Sequence, residues 1–347
     1  MLNYILSLLT ALIVTMFAIP SIIRVAELKS LFDVPGERKH HKKSVPTLGG
    51  MAIFAGLLFS VTFWTNQAEI VELQYIICAL LILFFLGIKD DLIDLRAWKK
   101  LAGQILAAVI LVHLAGIKLT TFYGLFGLKT MSLPVSYFFS VFTIIVITNA
   151  FNLIDGIDGL AASLGIVGAA TFGSWYYALG MTQYAILSFA LIGALLGFLW
   201  FNRSPAKIFM GDTGSMLVGL IIAILAIKFI DSIRILPRSH PHKILTVPVF
   251  TLSVLIVPLY DTLRVFLVRM LNKKSPFSAD RSHIHHLLVD RGLTHMQSTA
   301  ILVVFNTLMI VAAYYAQGIR GELQIAVLLL IPTAFTMWLL ATRKIKS

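Results

Sequence analysis

Apolar residues run through this chain in blocks of roughly 17 to 25, the length a bilayer-crossing helix needs. Eleven such blocks can be drawn, near 2–23, 47–64, 74–88, 101–117, 135–151, 160–178, 184–200, 215–230, 244–268, 298–317 and 323–341. The pattern predicts an all-α polytopic integral membrane protein, with residues 1–347 forming a single transmembrane catalytic domain. Inside the ninth block Pro258 removes a backbone donor and obstructs the preceding turn, so that span is expected to kink or break there. Between the fourth and fifth blocks, "KLTTFYGLFGLKTMSLP" carries β-branched and aromatic residues around "GLFG" and predicts a short hairpin.

Composition removes the soluble alternative. Of 347 residues, 59% are hydrophobic and 13% charged, and the mean hydropathy is +0.91; a soluble domain of this length needs far more charge at its surface. The polar connections also differ in charge. Segments 24–46, 89–100, 201–214, 269–297 and 342–347 hold 20 of the 28 Lys and Arg, and the alternate connections hold six. The positive-inside rule then puts the N-terminus outside and the C-terminus in the cytoplasm. The net charge of +12 follows from that topology and calls for no nucleic-acid partner. No basic region precedes the first block, whose charge follows it at Arg24, so an uncleaved span is expected. The single cysteine, Cys78, excludes an intrachain disulfide and is expected in the core.

Four polar stretches meet the basic side. They are "GIKDDLIDLRAWKK" (87–100), "NAFNLIDGIDGL" (149–160), "WFNRSPAKIFMGDTGS" (200–215) and "SPFSADRSHIHHLL" (275–288). Together they hold seven of the 16 acidic residues: Asp90, Asp91, Asp94, Asp155, Asp158, Asp212 and Asp280. Asp and Glu contribute little to orientation, so topology does not explain them, and ionisable groups near a membrane default to function. The stretches predict one cytoplasmic site built from loops 24–46, 89–100, 152–160, 201–214 and 269–297.

The residue types narrow the chemistry. Asp90 and Asp94 would share a helix face, and such carboxylates need a divalent cation or nearby Lys and Arg. Oxygen-only ligands suit Mg²⁺, with Mn²⁺ as a substitute. Asn149, Asn152, Asp155 and Asp158, spaced by three, rotate round a straight helix, so the helix should end near Gly156 and Gly159 to bring them to one place. In "FMGDTGS", glycines followed by a helix start could offer free N–H groups to phosphate oxygens. His283, His285 and His286 offer imidazoles; zinc would need softer company than these hard oxygens, and a phosphate-contacting set with Arg281 and Lys207 fits better. The basic segment "GERKHHKKSVPTLGG" reads either as a solvated positive-inside loop or as a substrate contact.

With "PTLGG", "KDDLIDL", "NAFNLIDGIDGL", "FMGDTGS" and "HIHH" in this order over nearly the whole chain, the sequence resembles the polyprenyl-phosphate N-acetylhexosamine-1-phosphate transferases. The resemblance implies transfer of a sugar-1-phosphate from a UDP-N-acetyl amino sugar to undecaprenyl phosphate, with release of UMP. That would be the first membrane step of cell-surface polysaccharide synthesis, at the cytoplasmic face of a bacterial inner membrane. It implies Mg²⁺ contacted by Asp212 and Asn152, and Asp90 and Asp91 at the reacting phosphates. Phe209 would stack on uracil and Asp158 would read the base. Homodimerisation is a further expectation. Ile284 interrupts the run of three histidines usual in the branch that transfers phospho-N-acetylmuramoyl-pentapeptide, which favours the N-acetylglucosamine-using initiators. The competing class, a transporter, would place ionisable residues and broken helices near mid-membrane in two related halves. No such repeat is visible; Asp261 and Arg264 are the nearest candidates.

Overall fold

A computed structural model describes residues 2–29, 31, 45–66, 70–273 and 282–342. Thirteen α-helices lie within them: α1 (Leu2–Leu28), α2 (Gly49–Trp64), α3 (Ile70–Ile93), α4 (Ala97–His113), α5 (Leu133–Ile154), α6 (Leu160–Ala178), α7 (Thr182–Asn202), α8 (Gly211–Arg234), α9 (Val247–Val254), α10 (Ile256–Leu271), α11 (Ile284–Val289), α12 (His295–Tyr315) and α13 (Gly321–Ala341). Every expected span coincides with a helix, the ninth with the pair α9 and α10. Six helices are long and apolar enough to cross a membrane by themselves, or seven if the bent pair is one span. The chain is therefore a helical, polytopic membrane protein.

The centre of the bundle is α8. Every residue from Thr213 to Ile227 is buried, as expected for a helix that is apolar all round. Around it pack α2, α3, α5 and α6, with α7 mostly beyond. Large apolar side chains such as Phe17 on α1 and Leu308 on α12 face outward. So does Cys78, which is exposed and not in the core. It lies on the outer face of α3, where a bilayer satisfies an apolar thiol as well as a protein interior does.

The ninth block breaks rather than bending gently. Its two helices meet at 81°, and the break falls at Leu255, three residues before Pro258. The offset has a cause: a proline ring collides with the carbonyl of the residue four places earlier, here Val254. Asn306 of α12 takes up the freed groups, donating from Nδ2 to the Val254 carbonyl at 3.0 Å and accepting at Oδ1 from the Val257 N–H at 3.3 Å.

The segment expected as a hairpin is a minimal one. A single antiparallel bridge joins Thr121 to Thr130 across a 3₁₀ turn at Leu125–Gly127, and no strand forms among the described residues. The break expected near Gly156 and Gly159 is present: α5 stops at Ile154, and α6 begins after Gly159, whose φ of +79° suits glycine.

Candidate active site

The four polar stretches converge because the helices carrying them end or start at the same end of the bundle. The end of α3 supplies Asp90 and Asp91, the first turn of α4 Lys100, the last turn of α5 Asn152, and the first turn of α8 Asp212. Lys100 Nζ contacts both Asp90 and Asp212. From the other side, Asn152 Nδ2 donates to Asp212 Oδ1 at 2.7 Å and to Ser215 Oγ at 2.9 Å.

Asp91 is used differently from its neighbour. Its Oδ1 accepts the Asp212 N–H at 2.7 Å, and its Oδ2 accepts from the N–H and hydroxyl of Thr213 at 3.1 and 2.5 Å. A carboxylate from α3 thus caps α8, satisfying donors that a helix start leaves unpaired. The idea that these N–H groups lie open to phosphate is corrected by this contact. Asp94 does not share a face with Asp90 either, since α3 ends at Ile93 and Asp94 adopts a left-handed φ of 44° with its side chain exposed.

Two distant motifs are zipped together by backbone. Phe209 N–H donates to the Pro46 carbonyl (2.8 Å), Gly49 N–H to the Phe209 carbonyl (2.9 Å) and Gly50 N–H to the Met210 carbonyl (2.9 Å). A Cβ on Gly50 would lie 2.2 Å from the Gly214 nitrogen, so the glycine of "PTLGG" allows two backbones to touch. Lys207 is exposed and Phe209 half-buried. Asn202 ties this segment to the 155–159 turn, accepting from Gly159 N–H at 2.7 Å and donating to the Ile208 carbonyl at 2.9 Å.

The histidines stand beside that turn. His283 Nδ1 lies 2.8 Å from Asp261 Oδ2, while Asp261 Oδ1 accepts from the Ile284 N–H (3.0 Å) and from Arg264 (2.9 Å). Asp261, on α10 just past the break, therefore fixes the start of α11. His285 is buried against the backbone of Gly156, where a Cβ would sit 2.1 Å from its Nε2, and its ring lies 4.3 Å from that of His286. Asp158 is buried, with Oδ1 3.3 Å from His295 Nδ1 and its carbonyl accepting from Thr299. Asn149 turns away and pairs with Gln104 of α4. Arg281, Asp280 and residues 32–44 lie outside the described residues.

The electrostatics are those of crowded carboxylates. Past the apolar part of α3, burial pushes Asp90 up to about 6, reinforced by Asp212 and opposed by Lys100 and the Leu95 N–H. Asp91 also rises to about 6, through burial that its Thr213 bonds only partly offset. Asp155 rises to about 8, because burial is compounded by the charges of Asp212, Asp91 and Asp158. Burial would lower Lys100, but Asp212 and Asp90 raise it on balance, so it stays protonated. Burial, with His286 beside it, holds the His285 imidazole well below its ordinary range and so neutral. Among the described residues no three His, Cys, Asp or Glu side chains form a ready-made metal cage. Asp212 nevertheless brings hard carboxylate oxygen and Asn152 an amide oxygen, although Asn152 turns its Nδ2 toward Asp212, and Asp212 already holds a cation, the Lys100 ammonium. Such a set fits a magnesium ion that takes its remaining ligands from phosphate and water.

Sequence reasoning passed over Lys100, Asn202, His295 and the capping role of Asp91. Only Lys100 left a signal: packed carboxylates needed a nearby cation, and "AWKK" follows them by a few residues.

The sequence is similar to those of known proteins. The model for glycosyl transferase family 4 matches residues 73–230. A probable undecaprenyl-phosphate N-acetylglucosaminyl 1-phosphate transferase of Bacillus subtilis (strain 168) is 36% identical over 311 residues, covering 89% of this chain and 83% of that protein. An undecaprenyl-phosphate alpha-N-acetylglucosaminyl 1-phosphate transferase of Escherichia coli (strain K12) is 31% identical, covering 82% and 76%. Its counterpart in Salmonella typhi is 33% identical, covering 81% and 75%.

Proposed function

This chain belongs to the polyprenyl-phosphate N-acetylhexosamine-1-phosphate transferases of glycosyl transferase family 4, and from that premise we propose that it moves N-acetylglucosamine-1-phosphate from UDP-N-acetylglucosamine to undecaprenyl phosphate. An oxygen of the lipid phosphate attacks the sugar-linked phosphorus, a P–O bond to UMP breaks, and UMP leaves. The similarity to undecaprenyl-phosphate N-acetylglucosaminyl 1-phosphate transferases supports this donor over a muramoyl-pentapeptide and over transport. The observation that carries the reading is the meeting of Asp90, Lys100, Asn152 and Asp212 at one point, from four helix ends.

Joining two anionic phosphates requires charge neutralisation and in-line placement. Asp212 and Asn152 would hold Mg²⁺, which when bound supplies that neutralisation. Asp91 caps α8 and so orients Asp212, with three donors already on its two oxygens. Asp90, whose Oδ2 faces Lys100, is the better placed of the two to accept the lipid-phosphate proton. Phe209 and Asp158 serve the uridine, with His295 steadying Asp158. His283, His285, His286, Lys207 and Arg281 complete the phosphate environment.

The 20 to 6 distribution of Lys and Arg supports a cytoplasmic site in a bacterial inner membrane, with eleven spans, the N-terminus outside and the C-terminus inside. The outer face of α10, with Leu263, Leu267 and Leu271 exposed, would border the entrance of the lipid acceptor. The test is incubation of detergent-purified protein with radiolabelled UDP-N-acetylglucosamine, undecaprenyl phosphate and Mg²⁺. Label should move into extractable lipid, and a panel of UDP-sugars should show preference for N-acetylglucosamine. No labelled lipid from a monodisperse preparation with any donor would end the proposal.

A further inference from the structure

The place where a metal would meet Asp212 is taken by a side chain. Lys100 Nζ sits 2.5 Å from Asp212 Oδ2 and also contacts Asp90, while Asn152 occupies the other Asp212 oxygen. The two carboxylates come from α3 and α8, and without an intervening cation they would repel. One ammonium neutralises one of them, so the pair keeps a net negative charge. Lys100 is 27% exposed along its side chain and Asp212 31%, so both reach the cleft. A lysine carries its charge on a flexible four-carbon stem and can turn to a new partner.

A metal ion entering the empty enzyme must compete with Lys100 for Asp212 Oδ2. A nucleoside diphosphate changes the balance, because its phosphates give the displaced ammonium a partner and give the metal further oxygen ligands. We propose that Lys100 is a resident counter-ion that keeps metal off Asp212 until the donor diphosphate arrives, so that metal and donor bind cooperatively. Lys100 is thus a positioning residue that sets the order of assembly. The inference rests on Asp212 being the metal ligand, as proposed above.

Coupling between two ligands is reciprocal, so it can be read without turnover. Mn²⁺ binding to the full-length protein in detergent, followed by loss of the free-ion paramagnetic resonance signal, is measured with and without UDP. In the wild type, UDP should tighten Mn²⁺ binding at least about tenfold, on the scale of typical coupling energies. Lys100→Met should bind Mn²⁺ about tenfold more tightly than wild type without UDP, and the gain from UDP should shrink to about twofold or less. A lysine needed only for structure would not improve metal binding when removed. Lys100→Arg, which keeps the charge, should keep the coupling. If Lys100→Met does not elute as a single folded species, Lys100→Gln takes its place with the same expectations. Asp212→Asn separates the two ideas. Mn²⁺ binding that survives Asp212→Asn would overturn the choice of metal ligand. Binding lost in Asp212→Asn but no tighter in Lys100→Met would overturn the resident counter-ion alone.

Discussion

Helices α3 and α8 run antiparallel and carry a charged cluster at each end, and the two clusters differ in one respect. Away from the motifs, Glu72 at the start of α3 accepts from Lys228 of α8 at 3.0 Å, from Gln183 at 3.2 Å and from the Tyr184 hydroxyl of α7. Lys228 also lies over the Tyr184 ring, 5.2 Å from its centre. One carboxylate there has one ammonium and two neutral donors, so charge and hydrogen bonds both balance. At the motif end, Asp90 and Asp212 share a single ammonium, and the charges of Asp212, Asp91 and Asp158 add to burial in raising the proton affinity of Asp155. A balanced cluster holds helices together. A cluster with surplus negative charge attracts a further cation, and the same two helices carry one cluster of each kind.

The largest effect expected from breaking this contrast is on chemistry. Asp212→Asn keeps shape but removes the charge that the proposed reaction sets against the phosphates, and turnover should fall at least about a hundredfold, the scale of a lost transition-state electrostatic contact. Its thermal midpoint should hold or rise, since a repulsive carboxylate is gone. At the balanced end the signs exchange. Glu72→Leu strands Lys228, and a partly exposed pair broken on one side should cost about 1–3 kcal/mol in denaturant unfolding, with kcat per folded molecule within about twofold. Adding Lys228→Met should recover most of that loss, and a double variant no more stable than the single one would refute the pairing.

Smaller effects sharpen the boundary of the site. Asn152→Ala removes one contact to Asp212 and should raise the Mg²⁺ concentration for half-maximal rate by about tenfold, within the range for a lost supporting ligand. Asp155→Asn should do least to turnover, because a carboxyl titrating at about 8 already carries its proton near neutrality. It should affect stability in a defined direction. The folded pKa lies above the unfolded value of about 3.9, so wild type loses stability relative to the variant as pH rises from about 4 through 8. Unfolding midpoints should coincide near pH 4 and favour Asp155→Asn at pH 8; the opposite trend would mean that Asp155 has an ionic partner.

The helices were legible because a bilayer imposes a length on each, and the motifs were legible because carboxylates and glycines are conspicuous among apolar residues. What stayed hidden was pairing. Nothing local distinguishes Lys100 from Lys99, which points elsewhere over Trp98, because topology alone accounts for lysines on that side. Asp90 and Asp91 are adjacent, yet one is buried against Lys100 and the Leu95 N–H and the other caps a helix 121 positions away. His295 opens α12 far along the chain from Asp158, so only the packing of α6 against α12 could join them.

By hydropathy Asn306 is a blemish in α12. As the partner of the Val254 carbonyl and the Val257 N–H, it replaces the helical turn that Pro258 forbids, at a depth where water is scarce and an unmet backbone group costs several kcal/mol. Its amide is in effect a transplanted peptide bond. The usual rule for a membrane segment, that a greasier residue is a safer one, therefore reverses at this position: Asn306→Leu would be the more lipophilic span and the worse protein. The corner that Asn306 holds is also what brings Asp261, and with it His283, to the rest of the site.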